Sequence, residues 1–550
     1  MSCTTRRDFL ATTSLAAAGL ALGARPLRAS VLNFATLRPS DTANTLAGET
    51  ITRDELRRLA LHAVDAAKSA GAVFADVRVS EYSMLNIEAG LAGAPELTIR
   101  TQYMFGVRAS TGGPLAFVHG SVLTQDAIAA AAKQAVTQAR GFAGMASARS
   151  LNLAPTPVVT GEWTTPIKVD PFTVPLLAQV DLIHALAAVV PQMLGAVNPG
   201  AAFEWYRDTR AFASTEGSAV TQTNFRARPR ITAAIMATLF DGYEVRPRHF
   251  SPAAAGYESV QVPDLPDQIK AAAEFASYMS SLPLKEFDVG RVPAVFDGFS
   301  AGSMFAQTVG RALEADRALG QEADAAGLSY LSPPLEVLGN VVLNPLLNVT
   351  GNRAVPSPLA VKWDDEGVEP QEFTMLKDGR VVDFATSRKT AAALGSWYQS
   401  QGKPARSYGC TSAEYAQDPL QVRSPHTYIA PGTAALPLED MYKDIAHGIL
   451  VTRCDWVSID PQLTTGMLNY GNMCEIKRGK IVSRVRDGAF IFSTKTLWKN
   501  LVAIGDQSTV RNVTDGYWKG NPWRSGFQST TAPAMRFSAV DVISTARNLS

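Results

Sequence analysis

The order of helical and strand periodicity between residues 52 and 140 constrains the fold of this chain more than any other feature. Thr52, followed three residues later by Glu55, is typical of a helix N-terminus. Thr124 is the expected cap of a second, alanine-rich helix that runs to about residue 140. Between these helices, alternating polar and apolar residues predict half-buried strands at 76–79, 85–88, 105–108 and 115–118. Helix, sheet and helix in this order predict an α+β fold.

The remaining chain predicts two domains. Later elements are expected as a loop at 155–175, helices at about 176–194 and 264–281, and strands at 202–206, 211–215 and 294–297. Prolines and glycines between residues 281 and 293 indicate a boundary. We therefore predict a linker at 30–49, an α+β N-terminal domain at 50–285 and a β-rich C-terminal domain at 290–550.

The composition is that of a globular protein. Of the 550 residues, 46% are hydrophobic and 18% are charged, which does not fit a disordered chain. The formal net charge of +1 gives no indication of a nucleic-acid-binding surface. Because no long uninterrupted apolar run follows the first 29 residues, we expect no stable membrane span there.

The N-terminus predicts export. Residues Thr5–Leu10 (TRRDFL) resemble the twin-arginine motif and precede an Ala- and Leu-rich run that ends near Ala24. A small-residue cleavage site is expected at Leu27–Ala29, so residues 1–29 are interpreted as a signal peptide. The alternative is an uncleaved anchor, although the apolar run is shorter than the roughly 20 residues a span needs. The mature protein is expected in the periplasm or outside the cell.

Several short motifs point to one family. They are 304–317 (MFAQTVGRALEADR), 317–327 (RALGQEADAAG), 364–368 (DDEGV), 375–384 (MLKDGRVVDF), 427–432 (TYIAPG), and, in the first half, 75–79 and 106–108. In this order they resemble the TldD/PmbA family over almost the whole chain after the leader. The family's zinc helix reads His-Glu-x-x-x-His, followed by Gly or Pro and Leu-Glu-x-Asp-Arg. The resemblance implies a two-domain α+β metallopeptidase-like fold.

The resemblance also implies that the metal-binding side chains are missing. Ala306 and Arg311 stand at the two His positions, and Gln307 stands at the Glu position. A methyl group has no lone pair for zinc, a carboxamide is not a general base, and a guanidinium repels a divalent cation. The family's third ligand is a Cys in a Gly-x-Cys-Gly-Lys-like loop, where Trp518 or a neighbour stands here, and no cysteine follows Cys474.

Other candidate ligands have plainer interpretations. The acidic cluster Glu314, Asp316, Glu322 and Asp324 is either a replacement metal site or a solvated helix face on which Glu314 pairs with Arg317. The six histidines show no short-range zinc spacing; they are His62, His119, His184, His249, His426 and His447. His426 stands where the family has Asn in an Arg-Met-x-Asn-Thr segment.

Two further features are left open. Cys454 and Cys474 could pair, but their spacing does not decide it. Tyr517, Trp518 and Trp523 form an aromatic cluster that either fills the vacated metal site or packs as ordinary core.

The function expected from the resemblance is a non-catalytic partner subunit or a peptide-binding pseudo-peptidase without a cofactor. Intact family members are zinc peptidases that hold extended peptides inside a dimer. We therefore expect a homodimer, or a heterodimer with a zinc-bearing relative. The alternatives are an active metallopeptidase with unorthodox ligands and, less favoured, a redox or storage protein on the same scaffold.

Overall fold

A computed structural model describes residues 51–545 except 92–93, 146–149, 191–194, 198, 239–240, 247–250, 355–356, 453, 455, 471 and 522. The expected leader, the linker and His249 lie outside the described residues. All described residues belong to one compact unit.

The first half mixes helices with long strands. Its helices are α1 (Arg53–Ser69), α2 (Gln125–Ala143), α3 (Leu176–Ala187) and α4 (Leu265–Ser281). Its strands are β1 (Phe74–Gly90), β2 (Glu96–Ser110), β3 (Ala116–Gly120), β4 (Thr160–Thr164), β5 (Ala196–Val197), β6 (Gly200–Ser214), β7 (Ala219–Ile231), β8 (Ala234–Thr238) and β9 (Asp241–Glu244). The main sheet has the order β3-β2-β1-β6-β7-β4, in which β4 alone runs parallel to its neighbour, and β5, β8 and β9 form a smaller sheet.

The predicted helix starts are confirmed. Thr52 accepts a hydrogen bond from the N–H of Glu55 at 3.1 Å, and Thr124 accepts one from the N–H of Ala127 at 3.3 Å. Both helices pack their apolar sides on one face of the main sheet, where Leu56 contributes to a buried cluster. The local capping pattern therefore located these helices correctly.

The strands are longer than the sequence predicted. Segments 76–79 and 85–88 belong to one strand, β1, and segments 202–206 and 211–214 belong to β6, which ends one residue before the predicted end at residue 215. The first ten residues of β1 are all buried, because α1 and α2 cover one face and the second half of the chain covers the other. Strand β4 interrupts the expected loop at 155–175. Helix α3 ends at Ala187, before the expected end near residue 194, and 191–194 lie outside the described residues.

The second half is rich in short strands. Its helices are α5 (Gly298–Phe305), α6 (Ala315–Ala318), α7 (Pro334–Val337), α8 (Arg388–Ala393), α9 (Gly395–Ser400) and α10 (Thr494–Lys499). Its strands are β10 (Leu284–Lys285), β11 (Gly290–Phe296), β12 (Val349–Asn352), β13 (Phe373–Lys377), β14 (Arg380–Val381), β15 (Thr411–Ser412), β16 (Gln421–Val422), β17 (His426–Ile429), β18 (His447–Val451), β19 (Trp456–Ile459), β20 (Thr465–Tyr470), β21 (Met473–Lys477), β22 (Lys480–Val485), β23 (Gly488–Ser493), β24 (Leu501–Ile504), β25 (Arg511–Lys519), β26 (Arg524–Ala532) and β27 (Met535–Ser544).

Two sheets hold helix α5 between them. The larger has the order β10-β22-β21-β18-β11-β27-β23-β20-β19, with β24 also paired to β27, and the smaller has the order β14-β13-β12-β17-β26-β25. Gly298 lets α5 approach the smaller sheet closely, since a Cβ there would lie 2.6 Å from the carbonyl oxygen of Ala532 on β26. The α+β prediction is confirmed, and α5 carries the first part of the candidate site.

The Asp-Asp-Glu-Gly turn at 364–367 joins the two halves through buried ion pairs. Arg108 on β2 donates to Glu366 at 3.1 Å and to Asp76, and Arg210 on β6 pairs with Asp365. Gly367 has φ +74°, and a Cβ there would lie 2.5 Å from the ring of Phe212. The turn therefore packs against the first sheet in a conformation that favours glycine.

No helix among the described residues is long and apolar enough to cross a membrane.

Candidate functional site

The helix that carries the resemblance is irregular. Asp297 caps α5 by accepting a hydrogen bond from the N–H of Ser300 at 2.7 Å. The helix continues through a π turn at Ala306–Gly310 and a 3₁₀ turn at Arg311–Leu313. It then stops at Glu314, whose backbone is extended with φ −82° and ψ 119°.

The helix that the resemblance implies therefore ends at Leu313 and does not continue to Arg317. The chain leaves the helix after Leu313 because its backbone bonds instead to a neighbouring segment. Ala385 donates to the carbonyl of Leu313 at 2.9 Å, and Ala315 donates to the carbonyl of Ala385 at 2.9 Å. Glu314 thus lies in a β-bridge with Ala385 rather than on a helix face.

The π turn brings positions 306 and 311 together. In a regular α-helix, residues five apart point about 140° away from each other. Here the N–H of Arg311 donates to the carbonyl of Ala306, which is the i to i+5 hydrogen bond that defines a π turn. Ala306 is buried, and Gln307 and Arg311 are half-buried. The turn therefore places Ala306 and Arg311 on the same side of the helix.

Arg311 occupies this side with a cation. Its Nε donates to Oε1 of Gln528 at 3.3 Å, and its guanidinium carbon lies 4.6 Å from the ring centroid of Tyr517. Burial lowers the pKa of Arg311 from its usual value. The guanidinium nevertheless stays charged at any working pH, because arginine has the highest side-chain pKa of the charged residues. A hydrogen-bond donor with a positive charge therefore faces this site.

Strand β25 presents Tyr517, not Trp518, to the helix. Side chains alternate along a strand, and Val513, Tyr517 and Lys519 are buried whereas Trp518 is 63% exposed. Trp523 is 55% exposed. The tryptophans therefore do not fill the space beside the π turn. In the Gly-x-Cys-Gly-Lys loop, the Cys stands two positions before the Lys. Aligning that Lys with Lys519 places Tyr517 at the Cys position, so the loop itself predicts this register.

A buried ion-pair network lies next to Arg311. The ammonium of Lys519 is fully buried and donates to Glu314 Oε2 at 2.8 Å, Asp316 Oδ1 at 2.7 Å and the carbonyl of Val422 at 2.6 Å. Glu314 Oε1 accepts from the phenol of Tyr517 and from the N–H of Ser424 at 2.9 Å. Lys519 therefore neutralises carboxylates that the sequence could assign to a metal.

The network corrects the predicted acidic surface. Glu314 is fully buried and Arg317 is 3% exposed, so they do not form a solvated pair. Arg317 instead donates to the carbonyls of Leu328 at 3.2 Å and Pro461 at 3.3 Å. Glu322 is buried and accepts from the N–H of Gly520, and only Asp324 of the four acidic residues is exposed.

Electrostatics keep this network ionised. Burial raises the pKa of Glu314, but the Lys519 ammonium and the nearby Arg317 outweigh it and hold that pKa below its usual value. Burial lowers the pKa of Lys519, and Asp316 and Glu314 more than offset it. The pKa of Tyr517 is raised by burial and by Glu314, so the phenol stays protonated and donates.

The other histidines and the cysteines do not gather near the π turn. Within the described residues, no group of three or more His, Cys, Asp or Glu is arranged to hold a metal ion. His426 lies on β17 with its ring nitrogens 3.0 Å from Ser529 Oγ and 3.2 Å from Thr531 Oγ1. Burial lowers its pKa to about 4, so it is neutral at pH 7. Cys410 and Cys474 are buried free thiols, so the possible disulfide between Cys454 and Cys474 is not formed in this structure.

A cleft of about 830 Å³ opens beside the N-terminal end of α5. Charged residues from both halves line it, among them Arg228, Asp297 and Glu439. Asn512 and Thr514 contribute the polar face of β25, which is opposite the face that carries Tyr517. The cleft therefore lies at the start of α5, whereas the π turn follows the end of that helix.

Comparisons with known proteins agree with this fold. Residues 289–544 match the family model of the PmbA/TldA metallopeptidase C-terminal domain. A metalloprotease of Methanothermobacter thermautotrophicus is 22% identical over 312 residues, which cover 56% of this chain and 63% of that protein. A metalloprotease of Synechocystis is 26% identical over 321 residues, which cover 57% of this chain and 60% of that protein. The chain thus spans about three-fifths of these curated relatives.

Solved structures extend the likeness across the chain. A Thermotoga maritima protein described as a modulator of a DNA gyrase aligns with a TM-score of 0.64 and 15% identity, covering 88% of this chain and 99% of that one. TldE from Thermococcus kodakarensis aligns with a TM-score of 0.61 and 14% identity, covering 87% and 98%. At these identities the likeness shows the fold.

Residues 289–544 are therefore similar to the PmbA/TldA metallopeptidase C-terminal domain, and the fold of the chain is similar to that of these solved structures. Within that frame, sequence reasoning named Ala306, Gln307 and Arg311, which the π turn brings to one place. It left open whether Tyr517 lies at the vacated site, and it missed Lys519 and Gln528. Tyr517 and Gln528 contact Arg311, and Lys519 binds the neighbouring Glu314.

Proposed function

We propose that this protein binds extended peptides without hydrolysing them, as a non-catalytic partner subunit or a pseudo-peptidase of the TldD/PmbA type. The observation that carries the proposal is the π turn. It places two positions five residues apart on the same side of the helix, yet these positions carry a methyl group at Ala306 and a guanidinium at Arg311.

The chemistry of the site does not fit zinc. Zinc in proteins is bound by thiolate, imidazole or carboxylate groups. Arg311 brings a positive charge to the place where such a ligand is needed, and Tyr517, beside it, stays protonated. Glu314 is engaged by Lys519. Without ligands to hold a zinc ion that would activate water, and with a carboxamide at Gln307, the π turn supplies neither a nucleophile nor a general base for peptide hydrolysis.

The rival proposal is an active metallopeptidase with unorthodox ligands, and the metalloprotease names of the curated relatives motivate testing it. It would require a zinc site away from the π turn.

Export and assembly complete the proposal. The twin-arginine-like leader supports a periplasmic or secreted location. The retained family motifs at 364–367 and 427–432 support a structural role in a dimer, either with a second copy or with a zinc-bearing relative.

Restoration of the ligands tests this proposal. We would compare the mature chain with the variant Ala306→His/Gln307→Glu/Arg311→His/Tyr517→Cys, measuring bound zinc and cleavage of unstructured casein peptides. The natural chain should cleave nothing, with or without added zinc, and the restored variant should bind about one zinc.

The matched control replaces Tyr517→Cys by Trp518→Cys in the same variant, and it should bind zinc more weakly because Trp518 points away from the turn. Chelator-sensitive cleavage by the natural chain would overturn the proposal and favour the rival.

A further inference from the structure

Arg311 has unused hydrogen-bonding capacity. Among the described residues its one hydrogen bond runs from Nε to Gln528, and no carboxylate lies within ion-pair distance of it. A guanidinium carries five N–H donors in a planar fork, which matches the two oxygens of a carboxylate. Two carboxylates raise the pKa of Arg311 from a distance, Glu314 and Asp515. Glu314 is paired with Lys519, and Asp515 accepts a hydrogen bond from Ser303.

Gln528 supplies a second donor at the same place. This side chain is 1% exposed, and its Nε2 has no partner among the described residues. Because Oε1 accepts from Arg311, the amide orientation is fixed, and Nε2 on the same carbon lies next to the guanidinium. A buried amide N–H without a partner is unfavourable by about 1–3 kcal/mol, so an acceptor that reaches it is favoured.

The surroundings hold this pair of donors rigidly. Tyr517 lies beside Arg311, and the guanidinium carbon of Arg423 also lies 4.6 Å from the Tyr517 ring centroid. Arg423 differs from Arg311 because its donors are used by the carbonyls of Tyr517, Arg524 and Ser525 and by Gln421. Arg311 and Arg423 therefore both lie against the ring of Tyr517, and the terminal N–H donors of Arg311 have no partner among the described residues. Arg311 and Gln307, four residues apart, are both half-buried, so the turn is reachable from solvent.

We propose that Arg311 and Gln528 form a carboxylate-binding site where intact relatives would hold zinc. The guanidinium and the Gln528 amide would bind the two oxygens of one carboxylate, which belongs either to a peptide C-terminus or to an Asp or Glu side chain. The peptide nature of this ligand rests on the proposed function, whereas the carboxylate contact rests on the two donors.

The test uses the full mature chain and four probes in calorimetric titrations. They are sodium acetate, the peptide acetyl-Ala₅ with a free C-terminus, its C-terminal amide, and an amide in which the central residue is Glu. The free-acid peptide, the Glu-containing amide or both should bind, and the all-Ala amide should bind at least tenfold more weakly. The tighter of the two binding peptides identifies the source of the carboxylate.

Three variants locate the contact. Arg311→Gln should weaken carboxylate binding about ten- to hundredfold, the loss expected for a charge-assisted hydrogen-bonded pair. Arg311→Lys should have an intermediate effect, because it keeps the charge and loses the fork. Gln528→Glu should abolish binding, since its own carboxylate would occupy Arg311. The matched control Arg486→Gln removes an exposed charge elsewhere and should change nothing.

The outcomes separate the two proposals. Equal binding of the free acid and the all-Ala amide, unchanged by Arg311→Gln, would overturn the carboxylate site and leave peptide binding standing. Acetate binding that Arg311→Gln abolishes, with no peptide bound, would support the carboxylate site and overturn the peptide proposal. No binding of any probe would overturn both. Circular dichroism and melting curves would establish that each variant is folded, and Gln528→Glu provides an independent test if Arg311→Gln is not.

Discussion

Replacing Lys519 with methionine should destabilise the protein strongly. Lys519 is the cation between Glu314 and Asp316, at 2.8 Å and 2.7 Å, and both its side chain and that of Glu314 are fully buried. Methionine fills a similar volume but leaves the two carboxylates without their shared cation. Removing one partner of a buried ion pair is destabilising by about 3–5 kcal/mol, because the remaining charge is uncompensated.

The expected change in melting temperature follows from the size of the protein. The entropy of unfolding is about 2.1 cal/mol/K per residue, so roughly 500 ordered residues give about 1 kcal/mol/K. A loss of about 3–5 kcal/mol therefore lowers the melting temperature by about 3–5 °C, which differential scanning calorimetry measures readily.

The matched control is Lys477→Met. Lys477 pairs with Glu475 at 2.7 Å, the same separation as Lys519 to Asp316, but the Lys477 side chain is 57% exposed. The Lys477 ammonium is solvated, and the buried Glu475 still accepts from Ser483 at 2.9 Å when Lys477 is removed, so this variant should lose about 0–1 kcal/mol and melt within about 1 °C of the natural chain. Adding Glu314→Gln to Lys519→Met should recover part of the loss. Equal melting temperatures for Lys519→Met and Lys477→Met would refute the argument from burial.

Three further outcomes are expected. Because burial lowers the pKa of His426 to about 4 from 6.5, the unfolded chain binds the proton more tightly, so stability should fall as the pH drops from about 6.5 to about 4. His426→Asn should remove up to about 1.4 kcal/mol per pH unit of that slope in urea titrations, and an unchanged slope would contradict it. The mature chain dialysed against trace zinc should hold no stoichiometric metal by elemental analysis, and about one zinc per chain would count against the proposed function. Light scattering should find a dimer, alone or after co-expression with an exported zinc-bearing relative, with an interface on the order of 2,000 Å² or more; a monomer under both conditions would oppose the partner-subunit proposal.

Local signals were sufficient for part of the fold. Thr52 and Thr124 cap their helices through hydrogen bonds to residues three positions later, so their pattern is complete within one turn. Strand β1 was divided in the prediction because Ser80, Glu81 and Ser83 interrupt the alternation, although the structure buries all three. A sheet that is buried on both sides loses the alternation from which strands are recognised.

The site was only half predictable for a related reason. Ala306, Gln307 and Arg311 lie within six residues, and their motif names them directly. Lys519 meets Glu314 across 205 positions, and periodicity carries no information about a contact of that range. The acidic cluster was therefore interpreted as a metal site or a solvated helix face, because the sequence does not show that Lys519 lies beside Glu314 and Asp316.

The π turn also accommodates one residue more than an α-helical turn does, because the N–H of Arg311 bonds to the carbonyl of Ala306. Deleting one residue between 306 and 311 would regularise the helix, but residues four apart rather than five would then lie on the same side. Point substitutions leave the five-residue spacing unchanged, together with the ion pair between Glu314 and Lys519. Substitutions within the turn can therefore add or remove a metal ligand without breaking the buried ion pairs next to it. The side chains of the turn are free to change, whereas the backbone that positions them is fixed by its neighbours.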